Sequence, residues 1–517
     1  MGSEPAPAAD APQFRRLHPA TVFVGIIRKL GSMIYLIVIA LVMRLVGGGE
    51  GDWFEYFIAI IVGLSGGLTL TRYISLRYGF DGDRLVIRSG IFQRQVRTIP
   101  VERIQNINFK RNVLHRWLGV VDVKIETAVA GQTEAELSVL SVKDADELRH
   151  ELLRRKHGEL EGPDAAGEAE EVWTTTLKDL LIVGATENRA GVIVAALAGA
   201  YYTFYDIAKK LWGPVEEQIK QYVEALLGAG LHTAVFVAVV GIALLILAGW
   251  IVSIVLTVVG YYGFTLRRRD DRLRRRYGLF TQVMTVVPIK RIQLLRLEAP
   301  ILRRLCGFFT VYAETAGSAG DKESGGVTPL GPLVRRRDIA RFCRLAFPEF
   351  DFDQVRWKPV SRLTIRRGFL RSAFGLLCLV GLLILVDQAA RPDRGEARFG
   401  LTLLWGIPVA LGLSACWAWA RYRALAYAEL GMFLLARAGV WTRRIWIVPQ
   451  GKIQSVSLGQ SPFQRRLGLA KLGIDTAGSR SLAGAQITDL PYEVAVNVQD
   501  KLSRTANAEG LWLLDGV

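Results

Sequence analysis

Apolar and polar residues alternate along this chain on two length scales. On the long scale, six windows are long and apolar enough to cross a bilayer, which takes roughly 20 residues. They come in pairs: Leu30–Val46 with Trp53–Arg72, Ala190–Ala208 with Thr233–Val259, and Phe369–Val386 with Leu401–Ala420. On the short scale, the stretch after the first pair shows the two-residue period of strands. Asp83–Arg88 alternates, Ser89–Gly90 gives a turn signal, and Gln93–Ile99 reads as the next strand. Val120–Thr127 alternates strongly, as a sheet with one wet face does, and Leu137–Leu140 adds a further strand. A helix follows at Lys143–Lys156, with Leu148, Leu152 and Leu153 on one face; Arg335–Phe347 and Tyr492–Arg504 take that place after the other pairs. Short strands closed by one C-terminal helix predict a small barrel or sandwich. The fold class is therefore α+β: six transmembrane helices in three hairpins, each followed by a β-rich module with a helical cap.

The modules are copies of one another. Gly90 precedes Pro100 by ten residues, as Gly278 precedes Pro288 and Gly439 precedes Pro449. The chain then reads Pro–x–x–Arg103–Ile104–Gln105, Pro–x–x–Arg291–Ile292–Gln293 and Pro–x–x–Lys452–Ile453–Gln454. Fourteen residues after each Gln stands Gly119, Gly307 or Gly468, three residues before which is Arg116, Arg304 or Arg465. Eight residues after each of those glycines comes Thr127, Thr315 or Thr476, each followed by Ala. Anchors held at fixed spacing three times mark an internal repeat. Segments ahead of the hairpins echo too: Trp173 and Gly191 are 18 apart, as are Trp357 and Gly375.

These signals predict an N-terminal segment (1–28), a hairpin (29–72) and a first module (73–157). A linker and juxtamembrane segment (158–189), a second hairpin (190–260) and a second module (261–347) follow. Then come a linker (348–368), a third hairpin (369–420), a third module (421–506) and a tail (507–517). The acidic, Gly/Ala-rich stretch 157–172 and the segment 348–359 read as linkers.

Charge sets the orientation. The connections inside the pairs (47–52, 209–232 and 387–400) hold six of the 65 Lys and Arg, so the modules and both termini are expected on the cytoplasmic side. A net charge of +17 points to an anionic partner, and the apolar spans make that partner a lipid surface. Charged residues make up 22% of the chain against 51% apolar, so membrane and aqueous parts must alternate. The polar start MGSEPAPAADAPQ has no basic n-region, so no cleaved signal is expected. The scattered cysteines, Cys306, Cys343, Cys378 and Cys416, form no CxxC pair and read as unpaired packing residues.

Three sets of cations are candidate lipid or partner contacts. Arg103, Arg291 and Lys452 keep one position positive in every copy, and Arg116, Arg304 and Arg465 another. Phosphate binding suits them, and so does a salt bridge or strand-edge hydrogen bond that stabilises the fold. The third set, Arg267, Arg268, Arg269, Arg272, Arg274, Arg275 and Arg276, follows the fourth span closely enough to meet anionic headgroups. Gln105, Gln293 and Gln454 read as buried amides. The middle glycines read as positive-φ turns, and Gly63–Gly67 as a site of close helix packing. No catalytic, cofactor-binding or metal residues are assigned. The five histidines have no metal spacing, no P-loop, GxSxG or HExxH occurs, and no aromatic–basic platform for nucleic acid accompanies the arginines.

At the Gly90–Ile91–Phe92 step, the Ile–Pro–x–x–Arg–Ile–Gln core and the Leu–Gly turn before ValAspValLysIleGluThrAla, the sequence resembles the bacterial pleckstrin-homology (PH, DUF304-type) family. Three hairpin-plus-module units resemble its YdbT-like membrane subgroup over nearly the full length. The resemblance implies a PH-like bent barrel or sandwich in each module, no established catalytic residues, and a bacterial cytoplasmic (inner) membrane location. It also implies a protein partner, either a smaller single-PH-domain membrane relative or a self-association, and a role in envelope homeostasis or resistance to membrane-active compounds. The expected function is a non-enzymatic scaffold whose modules bind proteins, anionic phospholipids of the inner leaflet, or both. The alternative is a six-helix transporter or lipid-handling protein, which the scarcity of polar groups in the spans disfavours.

Overall fold

The computed structural model describes residues 14–32, 53–91, 93–127, 133–157, 171–187, 199, 221–222, 231–315, 328–390, 406–477 and 484–512. The chain divides into two compact units, Met1–Val287 and Pro288–Val517.

In the first copy, strands β1 (Arg15–Arg16), β2 (Arg77–Asp81), β3 (Arg84–Ser89) and β4 (Gln95–Pro100) form a four-stranded antiparallel sheet in sequence order. A 3-10 turn at Val101–Arg103 leads into β5 (Ile104–Arg111), β6 (Val120–Thr127) and β7 (Thr133–Ser141), and the helix Val142–His157 closes the copy. Leu85, Ile125, Leu137 and Leu140 are fully buried in one core with Leu148 and Leu152 of that helix. Each such side chain contributes about 1.5–3 kcal/mol.

The module begins before its hairpin, which corrects the boundaries read from the sequence. β1 precedes the helices Ala20–Ser32 and Trp53–Ser75, yet pairs with β2 beyond them (Arg15↔Tyr78). The later copies repeat this. β8 (Glu171–Thr174) pairs with β9 (Thr265–Arg269), and β15 (Lys358–Pro359) with β16 (Ala426–Leu430). Both segments read as linkers thus contain a strand. Strands of two to four residues carry too few alternations to be read from sequence. An aromatic residue helps to hold them: Phe14 lies 3.9 Å from the Arg88 guanidinium and Trp357 lies 4.9 Å from that of Arg437.

Successive copies share sheets. The remaining strands are β10 (Arg272–Tyr277), β11 (Gln282–Pro288), β12 (Ile292–Pro300), β13 (Phe308–Thr315), β14 (Thr328–Arg335), β17 (Phe433–Ala438), β18 (Thr442–Pro449), β19 (Ile453–Gly459), β20 (Leu469–Thr476) and β21 (Gln486–Pro491). In the first unit, β5 of the first copy pairs with β11 of the second, giving a seven-stranded sheet of order β7-β6-β5-β11-β10-β9-β8. In the second unit, β12 pairs with β18, giving β14-β13-β12-β18-β17-β16-β15. The register is the same at both joints: Phe109↔Met284 corresponds, copy for copy, to Leu297↔Ile445. The last copy keeps a three-stranded sheet, β19-β20-β21.

Two described helices contain segments long and apolar enough to cross a membrane, Val235–Tyr261 and Leu363–Val386. On the first of these, Phe236, Leu244 and Leu245 are all exposed, a surface that suits hydrocarbon rather than water. The helices Trp53–Ser75 and Gly406–Ala424 coincide with two more predicted spans. The predicted spans Leu30–Val46 and Ala190–Ala208 lie almost wholly outside the described residues. Within the predicted Gly63–Gly67 packing site, a Cβ added at Gly66 would meet Ile26 Cδ1 at 3.6 Å, while one at Gly63 or Gly67 would meet no described atom within 4 Å. A closer approach is at Gly184, whose Cβ would come within 2.7 Å of Ile254 Cα.

Candidate functional site

The strongest concentration of functional chemistry lies in the first unit, at the C-terminal end of the Leu231–Tyr261 helix. The chain leaves that helix through Tyr262 and Gly263, the latter at φ +63°, and turns straight into β9. The β9–β10 hairpin carries all seven arginines of the 267–276 cluster. A cavity of about 400 Å³ opens there. Arg267, Arg274, Arg275 and Arg276 line it, joined by Arg149 from the terminal helix of the first copy. Tyr262, Tyr277 and Phe109 supply aromatic wall, and no Asp or Glu is among its lining residues.

Burial differs around this ring. Arg275 is 3% exposed and stacks on the Tyr277 ring at 4.9 Å. Its burial pushes its pKa down, an effect opposed by Tyr277 and Tyr261. Burial likewise lowers Arg149, Asp146 opposes it, and Arg272 and Arg269 lower it further. Guanidinium groups stay protonated under such pressure, so the cavity concentrates positive charge that an anion would relieve. The negative end of the helix dipole also favours cations here.

The other predicted contacts are placed differently. Arg103, Arg291 and Lys452 end three equivalent 3-10 turns; Arg103 is exposed and the other two half-buried. Arg116, Arg304 and Arg465 stand one residue before the ends of three equivalent short helices, Val113–Trp117, Ile301–Leu305 and Pro462–Arg466. Arg116 Nη1 donates to the Leu279 carbonyl at 3.2 Å, and Arg304 Nη1 to the Val440 carbonyl at 3.3 Å. Each acceptor follows the turn glycine of the next copy, Gly278 or Gly439. These arginines therefore staple the joints between copies. Gln293 is buried and donates to the Arg291 carbonyl, whereas Gln454 is exposed, against the expectation of three equivalent buried amides. The glycines do occupy left-handed turns, at φ +66° for Gly119, +75° for Gly307 and +62° for Gly468.

Sequence reading missed a buried charge network at the base of the hairpins. Asp122 sits in β6 on the face expected to be wet, yet it is 3% exposed. Arg28, on the helix leading into the first hairpin, donates to it at 2.5 Å, and the Val139 amide donates to it at 3.0 Å. Buried His115 approaches it to 3.6 Å. In the third copy the carboxylate has moved to Asp489 on β21, where it accepts from Arg367 and from Gln464 Nε2 at 2.9 Å. Gln464 stands in the place of His115. Burial lowers the His115 pKa, with Asp122 opposing and Arg28 assisting. Arg149 also escaped notice, because it is one cation on a helix dense in them. Among the described residues, no group of three or more His, Cys, Asp or Glu is arranged to hold a metal.

Comparison with known proteins gives these features a family. The family model for the bacterial PH domain matches the chain three times, over residues 26–156, 225–345 and 372–506. The chain is 22% identical over 502 residues to the UPF0699 transmembrane protein YdbT of Bacillus subtilis (strain 168), covering 93% of this chain and 96% of that protein. No solved structure matches. Three matches spanning most of the length, each covering an apolar helix and the strands that follow it, show that this membrane protein belongs to the bacterial PH domain family.

Proposed function

We propose that the protein is a non-enzymatic scaffold of the bacterial cytoplasmic membrane. Its three PH-like modules lie on the cytoplasmic face beneath six spans and hold anionic phospholipid headgroups. The observation that carries this reading is the arginine-lined cavity at the foot of the Leu231–Tyr261 helix: five guanidiniums, three aromatic rings and no carboxylate. The cavity opens directly after the end of the Leu231–Tyr261 helix, which supports a position at headgroup depth, where each basic group contributes about 1 kcal/mol of attraction to an anionic surface. Exposed Trp117, Leu305 and Phe463, on equivalent short helices, are apolar side chains suited to the same interface.

The test uses the full-length protein in nanodiscs of phosphatidylcholine containing a minor share of phosphatidylglycerol, with retained lipid counted by native mass spectrometry. The combined variant Arg149→Gln/Arg274→Gln/Arg276→Gln should retain at least tenfold less phosphatidylglycerol. Arg103→Gln, which is not among the residues lining the cavity, should retain the normal amount. Equal retention by the triple variant and the unaltered protein would refute the headgroup role.

A further inference from the structure

We infer that a second copy of this chain docks head to tail, its β4 edge pairing with β19 to make a third joint like the two inside each chain. The inference deepens the scaffold reading by naming its protein partner, and it rests on different residues from those of the cavity.

Each internal joint unites the first strand of a three-stranded half (β5, β12) with the last strand of the next copy's four-stranded half (β11, β18). With three copies in series, one strand of each kind is left over. β19 is the first strand of the last three-stranded half, and β4 the last strand of the first four-stranded half. Both are sheet edges, and their residues are correspondingly more open. Val96 is 61% exposed, and Gln454, Ser455 and Ser457 are exposed, where the equivalent residues of β12 are buried.

The other edges of the described sheets are guarded. β1 and β15 have two residues each and β8 has four. β7 and β21 are broken by positive φ at Val139 and Asp489, and β14 contains Pro329 and Pro332. Such devices stop an edge from recruiting another strand. β19 has none of them: its seven residues, Ile–Gln–Ser–Val–Ser–Leu–Gly, include no charge and no proline. Its bulge between Ile453 and Ser455 is no guard, because β5 and β12 carry the same bulge and still pair. The terminal helix reaches β19 through Gln499, whose Nε2 donates to the Val456 carbonyl at 3.2 Å, a bond that pairing must replace or accommodate.

The internal joints also dictate the register. Carried over copy for copy from Leu297↔Ile445 and Leu295↔Ile447, it sets Leu458 against Val96 and Val456 against Thr98. The joint staple carries over as well. Arg465 is exposed and has no side-chain partner among the described residues. Its counterparts Arg116 and Arg304 bond the carbonyl after the turn glycine, which in the first copy belongs to Ile91. A contact between two unlike surfaces of one chain is heterologous and repeats into a ring where the rotation closes or a filament where it does not.

The experiment uses full-length chains with the four native cysteines changed to serine, coexpressed under two different tags in native membranes. One chain carries Val96→Cys and the other Leu458→Cys, and a short bismaleimide bridges facing pairs. The expected product carries both tags, while two Val96→Cys chains give none. Val96→Glu with Leu458→Glu should abolish it at least tenfold, measured by co-purification of the tags, and Val96→Lys with Leu458→Glu should restore it. A doubly substituted chain bridged only within itself, or tags that never co-purify from membranes, would overturn the inference. Repeating the bridging in the Arg149→Gln/Arg274→Gln/Arg276→Gln background separates the two proposals: lost lipid with retained bridging sinks neither the joint nor its register.

Discussion

Asp489 is the most consequential single carboxylate in the third copy, and its removal has a calculable cost. Its side chain is 2% exposed, accepts from Gln464 and Arg367, and sits on a backbone at φ +63°. Alanine removes both bonds and leaves Arg367 without its carboxylate partner. Breaking a buried pair by deleting one partner costs about 3–5 kcal/mol; because Arg367 is 20% exposed, the lower end, about 3 kcal/mol, applies. The left-handed backbone adds about 1 kcal/mol for a residue with a Cβ and no local hydrogen-bonding group. The sum of about 4 kcal/mol is nearly three decades in an opening equilibrium, at 1.4 kcal/mol per decade. Hydrogen exchange on the micelle-solubilised full chain reads this locally, without requiring the two units to unfold together. Protection of amides in β21 and in the helix beginning at Tyr492 should fall several hundredfold in Asp489→Ala. Asp489→Asn keeps the backbone preference and the bond from Gln464 and loses only the charge, so its fall should be about tenfold. A loss below tenfold in Asp489→Ala, or equal losses in the two variants, would refute the reasoning.

Three further outcomes follow from the packing. His115 is buried neutral, so the unfolded chain binds the extra proton and stability falls with acidification, starting near the unfolded value of about 6.5 and continuing to the lowered folded one. His115→Gln, which copies Gln464, should flatten that slope in tryptophan-fluorescence melting curves taken from pH 7.5 to 5, with the melting temperature at pH 7.5 little changed; an unchanged slope would count against it. Cys343 is fully buried and its thiol is pushed up to about 12, so at pH 8 the thiolate fraction is about 10⁻⁴. Maleimide should modify exposed Cys306 and leave Cys343 untouched until the protein is denatured, as peptide mass mapping would show. Gly184→Leu should force the Leu177–Thr186 helix off Ile254, destabilising by about 2 kcal/mol or more and lowering the melting temperature, which Gly241→Ala, where an added Cβ would meet no described atom within 4 Å, should leave alone.

Much of the architecture was legible because three copies repeat the same punctuation. The strand Val120–Thr127 falls on the residues the alternation marked. The terminal helices of the first and third copies start within one residue of their predicted positions, at Val142 and Tyr492. In the second copy Arg335 instead ends a strand, and the helix begins at Ile339 after a 3-10 turn. Partnership between distant strands was not legible. Nothing in Gln282–Pro288 announces that, beside β10 of its own copy, its other neighbour is Ile104–Arg111 rather than its own copy's β12, because either pairing satisfies the same period. The buried acid escaped for a related reason. Alternation marks Asp122 as polar, and only the fold brings Arg28 to it from 94 residues away. Of the candidate cations, the cluster at 267–276 announced itself by density, while Arg149 reached the same cavity from another copy.

The way each hairpin interrupts its sheet carries a constraint on threading. A strand laid down before the apolar segment must find its neighbour after it: Arg15 opposite Tyr78, Trp173 opposite Leu266, Lys358 opposite Tyr427. Hydrogen-bonded neighbours share one side of a bilayer, so whatever crossings the intervening chain makes must be even in number. Any helix that goes out obliges another to come back. Excising a single crossing therefore would not shorten the protein by one helix; it would strand half a sheet on the wrong side of the lipid.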